Sequence, residues 1–259
     1  MTPFWIHSSI KVAQNVAAGS ARWSIGSIVA GMRIEIWSDV VCPWCYIGKR
    51  RFDTALAAVA ATRDVSSIEV VYRPYQLDPT APAGASEPVS QAYAKKFGGS
   101  AKAAEIMASV TRVAAADGID FHMDIALRAN TLLAHRLLWF ADQHVADVHA
   151  TQRALKERLM QAYFTDGEDI GNPDVLLAAA VDVGLDREAV GAFLVSDAGI
   201  GEVMESLASA AANGITAVPT YVIDEQWAVP GAQDPAVFER VLNRLLDNAA
   251  ADLSTPEAV

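Results

Sequence analysis

Residues Ile36 to Lys49 read Ile-Trp-Ser-Asp-Val-Val-Cys-Pro-Trp-Cys-Tyr-Ile-Gly-Lys, and they hold the only two cysteines of a 259-residue chain. Arg33–Ser38 (RIEIWS) leads into them as a strand, with Ile34 and Ile36 on one face. Pro43, directly after Cys42, suits a first helical position, where its missing N–H costs nothing. Ile47, Phe52, Leu56 and Val59 then recur at helical spacing, which gives a helix from about Pro43 to Thr62. Ile68–Gln76 (IEVVYRPYQ) is a second strand. Strand, helix and strand in so short a span make a βαβ unit, because a parallel pair needs a crossover.

The position of the two thiols assigns them chemistry. Cys42 closes the loop after the strand, and Cys45 lies one turn into the helix. Free N–H groups and the dipole at a helix N-terminus stabilise negative charge. The Cys42 thiol is therefore expected below its free value of about 8.5. That asymmetry makes Cys42 the sulfur that attacks or is attacked, and Cys45 the resolving one. A structural zinc usually takes four ligands. The chain has no third cysteine, and His135 and His144 lie nine apart on one expected helix. A lone disulfide closing so short a loop adds little stability. Redox exchange is the chemistry that suits the pair.

The neighbours carry their own expectations. Trp44, between the cysteines, tunes the potential or serves as an exposed peptide contact. Asp39 reads as a solvated loop residue and Lys49 as a solvated helix residue. Gly48 costs about 1 kcal/mol against Ala inside a helix, so close packing against another segment is its expected reason. His135, with Leu132, Leu138 and Trp139 at helical spacing, is either a satisfied, half-buried histidine or, with Asn130, part of a cleft wall over the cysteines.

Beyond the second strand, roughly residues 87–196 show helical patterning and no convincing strand. Gly98-Gly99, Asp117-Gly118, Asp166-Gly167 and Gly184 punctuate them. The stretch reads as five or so helices. Asn130 reads as the cap of a helix Thr131–His144, and Asn172-Pro173 as a cap followed by a first-turn proline. Strands return at Thr220–Asp224 and Trp227–Pro230, a hairpin across Glu225-Gln226. A last helix follows over Pro235–Ala250, and the tail after Asp252 is expected to fray. Gly214–Tyr221 (GITAVPTY) runs directly into the first of these strands. Pro219 there is either an ordinary trans proline opening a strand or a cis one. The cis form would turn the Val218 carbonyl and N–H toward an incoming substrate strand.

Composition bounds the partners. Lys and Arg number 20 against 31 Asp and Glu, a formal net charge of -11 with pI near 4.8. That balance argues against nucleic acid and anionic membrane as partners. No run approaches the roughly 18 apolar residues of a membrane span. Residues 1–31 contain Lys11 and Arg22 and no acid, but Ser, Gly, Asn, Gln and Lys interrupt any secretory apolar core. They are expected to be an unstructured extension, with Met32 the functional start and the cytoplasm the location.

CPWC after a strand, followed by YIGK and by a late VPT before a strand, resembles the DsbA-like branch of the thioredoxin superfamily. More narrowly it resembles the FrnE-like cytoplasmic oxidoreductases, in which an α-helical domain interrupts the thioredoxin fold. Arg73–Pro79 (RPYQLDP) and Asn130–Leu137 (NTLLAHRL) are also similar to that family, and the resemblance covers about Met32–Ala250. It implies an α/β, thioredoxin-like fold (βαβ…ββα) interrupted by an all-α insertion. The expected domains are 32–80 with 197–250, the insertion 81–196, an extension 1–31 and a frayed tail 251–259. It further implies Cys42 as nucleophile, Cys45 as resolving thiol and Pro219 as a cis-proline. Pro43, Trp44, Val218, Asn130 and His135 are the tuning or substrate-binding residues. No tightly bound cofactor is implied, since no GxGxxG opens a helix. Glutathione is the candidate redox partner, and the substrate a protein or small molecule bearing thiols or a disulfide.

Two features depart from the pattern. Ile36 stands where thioredoxins proper carry a buried carboxylate, and the second cysteine pair of some FrnE-like proteins is absent. A second reading is a glutathione-dependent isomerase or transferase, since 2-hydroxychromene-2-carboxylate isomerases and kappa-class glutathione transferases share the interrupted architecture. Cysteines at both motif positions favour redox exchange over it. A third is a binding module or chaperone whose thiols are incidental.

Overall fold

Strand β1 (Met32–Ser38) runs up the middle of a four-stranded sheet ordered β2-β1-β5-β6. It pairs parallel to β2 (Ile68–Pro74) and antiparallel to β5 (Thr220–Ile223), so Ile36 sits between Tyr72 and Tyr221. Strand β6 (Trp227–Pro230) closes one edge by pairing antiparallel with β5. This computed structural model describes residues 31–143 and 148–254. Expectations placed on residues 1–30, on His144 and on residues 255–259 lie outside the described residues.

Alternation along the strands decides what each face meets. Ile34 and Ile36 of β1 point toward α1 (Pro43–Ala60) and α9 (Pro235–Ser254), where Phe52, Phe238 and Tyr221 meet at ring distances of 4.7–5.4 Å. Trp37, one residue out of phase, packs on the opposite face with Ala210 and Ile215. The hairpin turn differs from expectation. Asp224 has left the strand and, with Glu225, takes a positive φ (47° and 55°). Its carboxylate accepts from the Arg33 N–H at 2.7 Å, which ties the turn to β1. Helix α9 runs on to Ser254, four residues past the expected Ala250.

Between β2 and β5 the chain makes α2 (Val89–Phe97), α3 (Ser100–Ala116), α4 (Leu132–Gln143), α5 (Val148–Phe164), α6 (Pro173–Asp182), α7 (Arg187–Leu194) and α8 (Ile200–Ala212). Six of these fall in the stretch read as five or so helices. The same stretch also holds two-residue strands β3 (Glu87–Pro88) and β4 (Leu127–Arg128), paired antiparallel. A two-residue strand has no period to read, so sequence alone passes over it. Asn172 caps α6 as expected, accepting from the Asp174 N–H with Pro173 in the first turn.

Helix α5 lies against β2 and deals with that edge of the sheet. Gln152 accepts from the Tyr72 N–H at 2.7 Å and donates to the Tyr72 carbonyl at 3.3 Å. One side-chain amide thus does for the edge what a neighbouring strand would do. The helices also share their core with the cysteine motif. Val40, Cys42, Cys45 and Ile47 belong to the same apolar cluster as Leu137, Leu155, Leu159 and Phe164.

Candidate active site

The cysteines stand where β1 hands over to α1. Cys42 is the N-cap of α1 (φ −88°, ψ 114°), and its sulfur accepts from the Cys45 N–H at 3.3 Å. Pro43 occupies the first turn, as its fixed φ and missing donor allow. Both cysteines are unbonded and nearly covered: Cys42 keeps 4% of its surface and Cys45 2%. Trp44 between them is 47% exposed and marks the open side of the motif.

The segment before β5 arrives over the motif. The Val218–Pro219 peptide is cis, and the Cys42 thiol lies 3.9 Å from the Val218 carbonyl. Pro219 in turn accepts from the Gly231 N–H at 2.7 Å. Gly48 permits this approach. A Cβ there would stand 2.8 Å from the Tyr221 hydroxyl and 2.9 Å from Pro219 Cγ. The packing reason expected for Gly48 therefore holds, and its partners are Tyr221 and Pro219.

Behind the motif the expectations need correction. Asp39 is not solvated: it is fully buried. Its Oδ2 accepts from the Leu77 N–H at 2.8 Å, and its Oδ1 lies 3.2 Å from Nε2 of His135. His135 is buried as well, and the same Nε2 reaches the Tyr75 carbonyl at 3.0 Å. Burial, with the Lys156 charge, holds its titration below the ordinary histidine value, against the pull of Asp39. His135 is thus a satisfied core histidine that braces the loop before Cys42. Asn130 stands at the entry to α4, where Oδ1 accepts from the Leu132 N–H and Nδ2 donates to the Ala81 carbonyl. It holds the chain entering α4 to the segment after β2. Lys49 is also buried, in ion pairs with Asp53 (2.6 Å) and Glu157 (2.7 Å).

The Cys42 thiol departs from expectation too. It is pushed well above the ordinary thiol value, first by its hydrogen bond with the Cys45 thiol, then by burial and by the charges of Cys45 and Asp39. The hydrogen bond from the Cys45 N–H pulls the other way and is outweighed. A helix N-terminus lowers a thiol pKa and apolar burial raises it; here burial and the neighbouring thiol prevail.

Two residues near the thiols were not singled out from sequence. Tyr93 of α2 is pushed up to about 12 by burial and by Cys42. Lys156 of α5 is fully buried, donates to the Ser38 carbonyl at 3.3 Å and is pushed down to about 8 by burial. Its signal was available: Gln152, Leu155, Lys156, Leu159, Met160 and Tyr163 form one buried stripe at helical spacing. A lysine in the middle of such a stripe has no solvent to reach. Among the described residues, no three His, Cys, Asp or Glu side chains converge as a metal site.

A family model described as the DSBA-like thioredoxin domain matches residues 33–243. A probable DsbA oxidoreductase from Streptomyces coelicolor shares the structure with a TM-score of 0.74 at 33% identity, over 88% of this chain and 93% of that one. The uncharacterized protein YwbO of Bacillus subtilis (strain 168) is 27% identical over 214 residues, 82% of this chain and 96% of that protein. The cytosolic disulfide reductase DsbM from Pseudomonas aeruginosa, solved with GSH, has the same fold at 18% identity and a TM-score of 0.57, over 83% of this chain and 99% of that one.

Proposed function

The chain belongs to the DSBA-like thioredoxin-domain family of thiol–disulfide oxidoreductases, and on that premise we propose that Cys42 and Cys45 exchange disulfides with thiol-bearing proteins or small molecules. Cys42 is the sulfur that bonds to substrate, and Cys45 resolves the mixed disulfide. The observation that carries these roles is the N-cap position of Cys42 beside the Val218 carbonyl, with Cys45 deeper in the helix. Trp44 and Val218 flank the sulfur, so substrate contacts fall on them. Glutathione is the expected redox partner, in keeping with the disulfide reductase of this fold solved with GSH.

The electrostatics favour the reducing direction. Strong oxidants of this chemistry are so because their reduced form is stabilised. At Cys42 the paired thiol, burial and Asp39 all oppose the thiolate. The couple is therefore expected to be less oxidising than those oxidants.

The test is equilibration of the full chain in glutathione redox buffers, acid quench and mass analysis, with Cys45→Ser and Cys42→Ser beside it. The expected result is an intramolecular disulfide in the native chain, a stable glutathione adduct on Cys45→Ser and none on Cys42→Ser. If no disulfide forms and glutathione binds intact, the isomerase reading replaces this one.

A further inference from the structure

Helix α1 is divided between two cores. Phe52, Leu56 and Val59 pack with the sheet, whereas Cys45, Tyr46 and Ile47 pack with the inserted helices, in one cluster with Leu155, Leu159 and Phe164. At the seam a single carboxylate from α5 grips the start of α1. Glu157 Oε1 accepts from the Tyr46 hydroxyl at 2.8 Å and lies 3.0 Å from Arg50 Nε, while its Oε2 lies 2.7 Å from Lys49 Nζ. Residues 46, 49 and 50 share one helix face, being three and four apart, so their donors converge on one point. One turn earlier on α5, Arg153 pairs with Asp53 of α1 at 2.8 Å.

The grip reaches the thiols through Tyr46. That side chain is buried, with its ring against Phe121 and Phe164 at centre distances of 5.9 and 5.8 Å. Tyr46 follows Cys45 directly, so its ring cannot shift without moving the turn that carries this thiol. The same turn supplies the Cys45 N–H that the Cys42 sulfur accepts at 3.3 Å. Apolar side chains can fill such a seam with no loss of stability, since taking charges out of water is costly. What the carboxylate adds is direction, because its hydrogen bonds fix one orientation of the turn.

We propose that Glu157 is a positioning residue of the redox centre: through Tyr46 it holds the first turn of α1 in the pitch that keeps the two sulfurs together, and so favours the Cys42–Cys45 disulfide. The proposal rests on the thiol–disulfide reading above. Oxidation by glutathione disulfide forms the Cys42–Cys45 bond and breaks the glutathione S–S bond. Two electrons pass from the protein dithiol to the glutathione sulfurs, and its two protons end on two glutathione thiols. The equilibrium constant of that exchange is the effective concentration of one protein thiol at the other, which rises as the turn is held.

The experiment measures this constant on the full chain in glutathione buffers for the native protein, Glu157→Ala, Tyr46→Phe and the double variant. Urea unfolding of the disulfide and dithiol forms of each runs beside it. Glu157→Ala and Tyr46→Phe are each expected to lower the constant about fivefold or more, and the double variant no further than Glu157→Ala alone. By linkage, each destabilises the disulfide form more than the dithiol form by the same factor. A carboxylate that only supports the fold would weaken both forms equally and leave the constant unchanged. An unchanged or raised constant therefore overturns the proposal. So does a full further loss in the double variant, which would take Tyr46 out of the path. If Glu157→Ala does not fold, Tyr46→Phe, which loses one hydroxyl, decides alone. A native chain that forms no intramolecular disulfide overturns the oxidoreductase reading and this proposal with it.

Discussion

Asp39 Oδ1 lies 3.2 Å from Nε2 of His135, so the loop that presents Cys42 is fastened to helix α4 from inside the core. That nitrogen also faces the Tyr75 carbonyl, and two acceptors on one nitrogen require it to carry the proton. Burial keeps the ring neutral, with its titration below the ordinary histidine value. As pH falls through about 6.5, the unfolded chain binds a proton that the folded chain refuses. The contribution of His135 is therefore complete above that pH and is lost below it. Urea unfolding from pH 7.5 to 5 is expected to show a steeper loss of stability in the native chain than in His135→Gln. The variant should also lose about 1–3 kcal/mol at pH 7.5. Equal slopes would remove His135 from the acid response.

Lys156→Met is expected to stabilise the protein. A lysine brought from its usual range of about 10.4 down to about 8 carries roughly 3 kcal/mol of penalty at pH 7. A neutral side chain of similar shape relieves about 1–3 kcal/mol of it. The native chain recovers the same energy between pH 8 and 10.4, where the unfolded state holds a proton the folded state has released. The advantage of the variant should accordingly shrink from pH 7 to pH 9.5 in urea unfolding. A variant less stable than the native chain at pH 7 would show that attraction to the ammonium outweighs its burial.

Gln152→Leu keeps the volume of α5 but leaves the Tyr72 N–H and carbonyl without their side-chain partner. A loss of about 2–4 kcal/mol is expected. Hydrogen exchange gives the local readout, with the Tyr72 amide losing protection. Retained protection at Tyr72 would mean that another group covers the edge.

Gly48→Ala sets helix propensity against packing. Alanine is the better helix former by about 1 kcal/mol, but its methyl would collide with the Tyr221 hydroxyl and Pro219 Cγ. Both are held in the core, so the collision is expected to win, with a net loss of about 1–3 kcal/mol in thermal or urea unfolding. A stabilised variant would show that the strand β5 side yields.

The sequence discloses those features that local pattern governs. The strand before Cys42, the cap and proline that start α1, the Asn172-Pro173 start of α6 and the β5–β6 hairpin all follow from spacing of a few residues. Asp39 and Lys49 escape a local reading, because their burial comes from contacts with residues far along the chain, whereas His135 fits the satisfied-histidine reading and is only more deeply buried than expected. Asp39 looks like an ordinary loop acid until α4 delivers His135 to it. Lys49 looks solvated until Glu157 arrives from α5. The β3–β4 pair joins Glu87 to Arg128, a match that no local rule announces. Lys156 was legible in principle, as the charged member of an apolar stripe.

Ile36 lies between Tyr72 and Tyr221, one neighbour supplied soon after it and the other only near the end of the chain. On the ribosome this order has a consequence. The residues from Pro74 to Thr220 take on the order of 10 s to synthesise. Throughout that interval the nascent half-sheet presents an open edge along β1, and both thiols emerge before α5, β5 or Pro219 exist to cover them. The cysteines are therefore made before the segments that cover them, and the environment that controls their chemistry is assembled around them last.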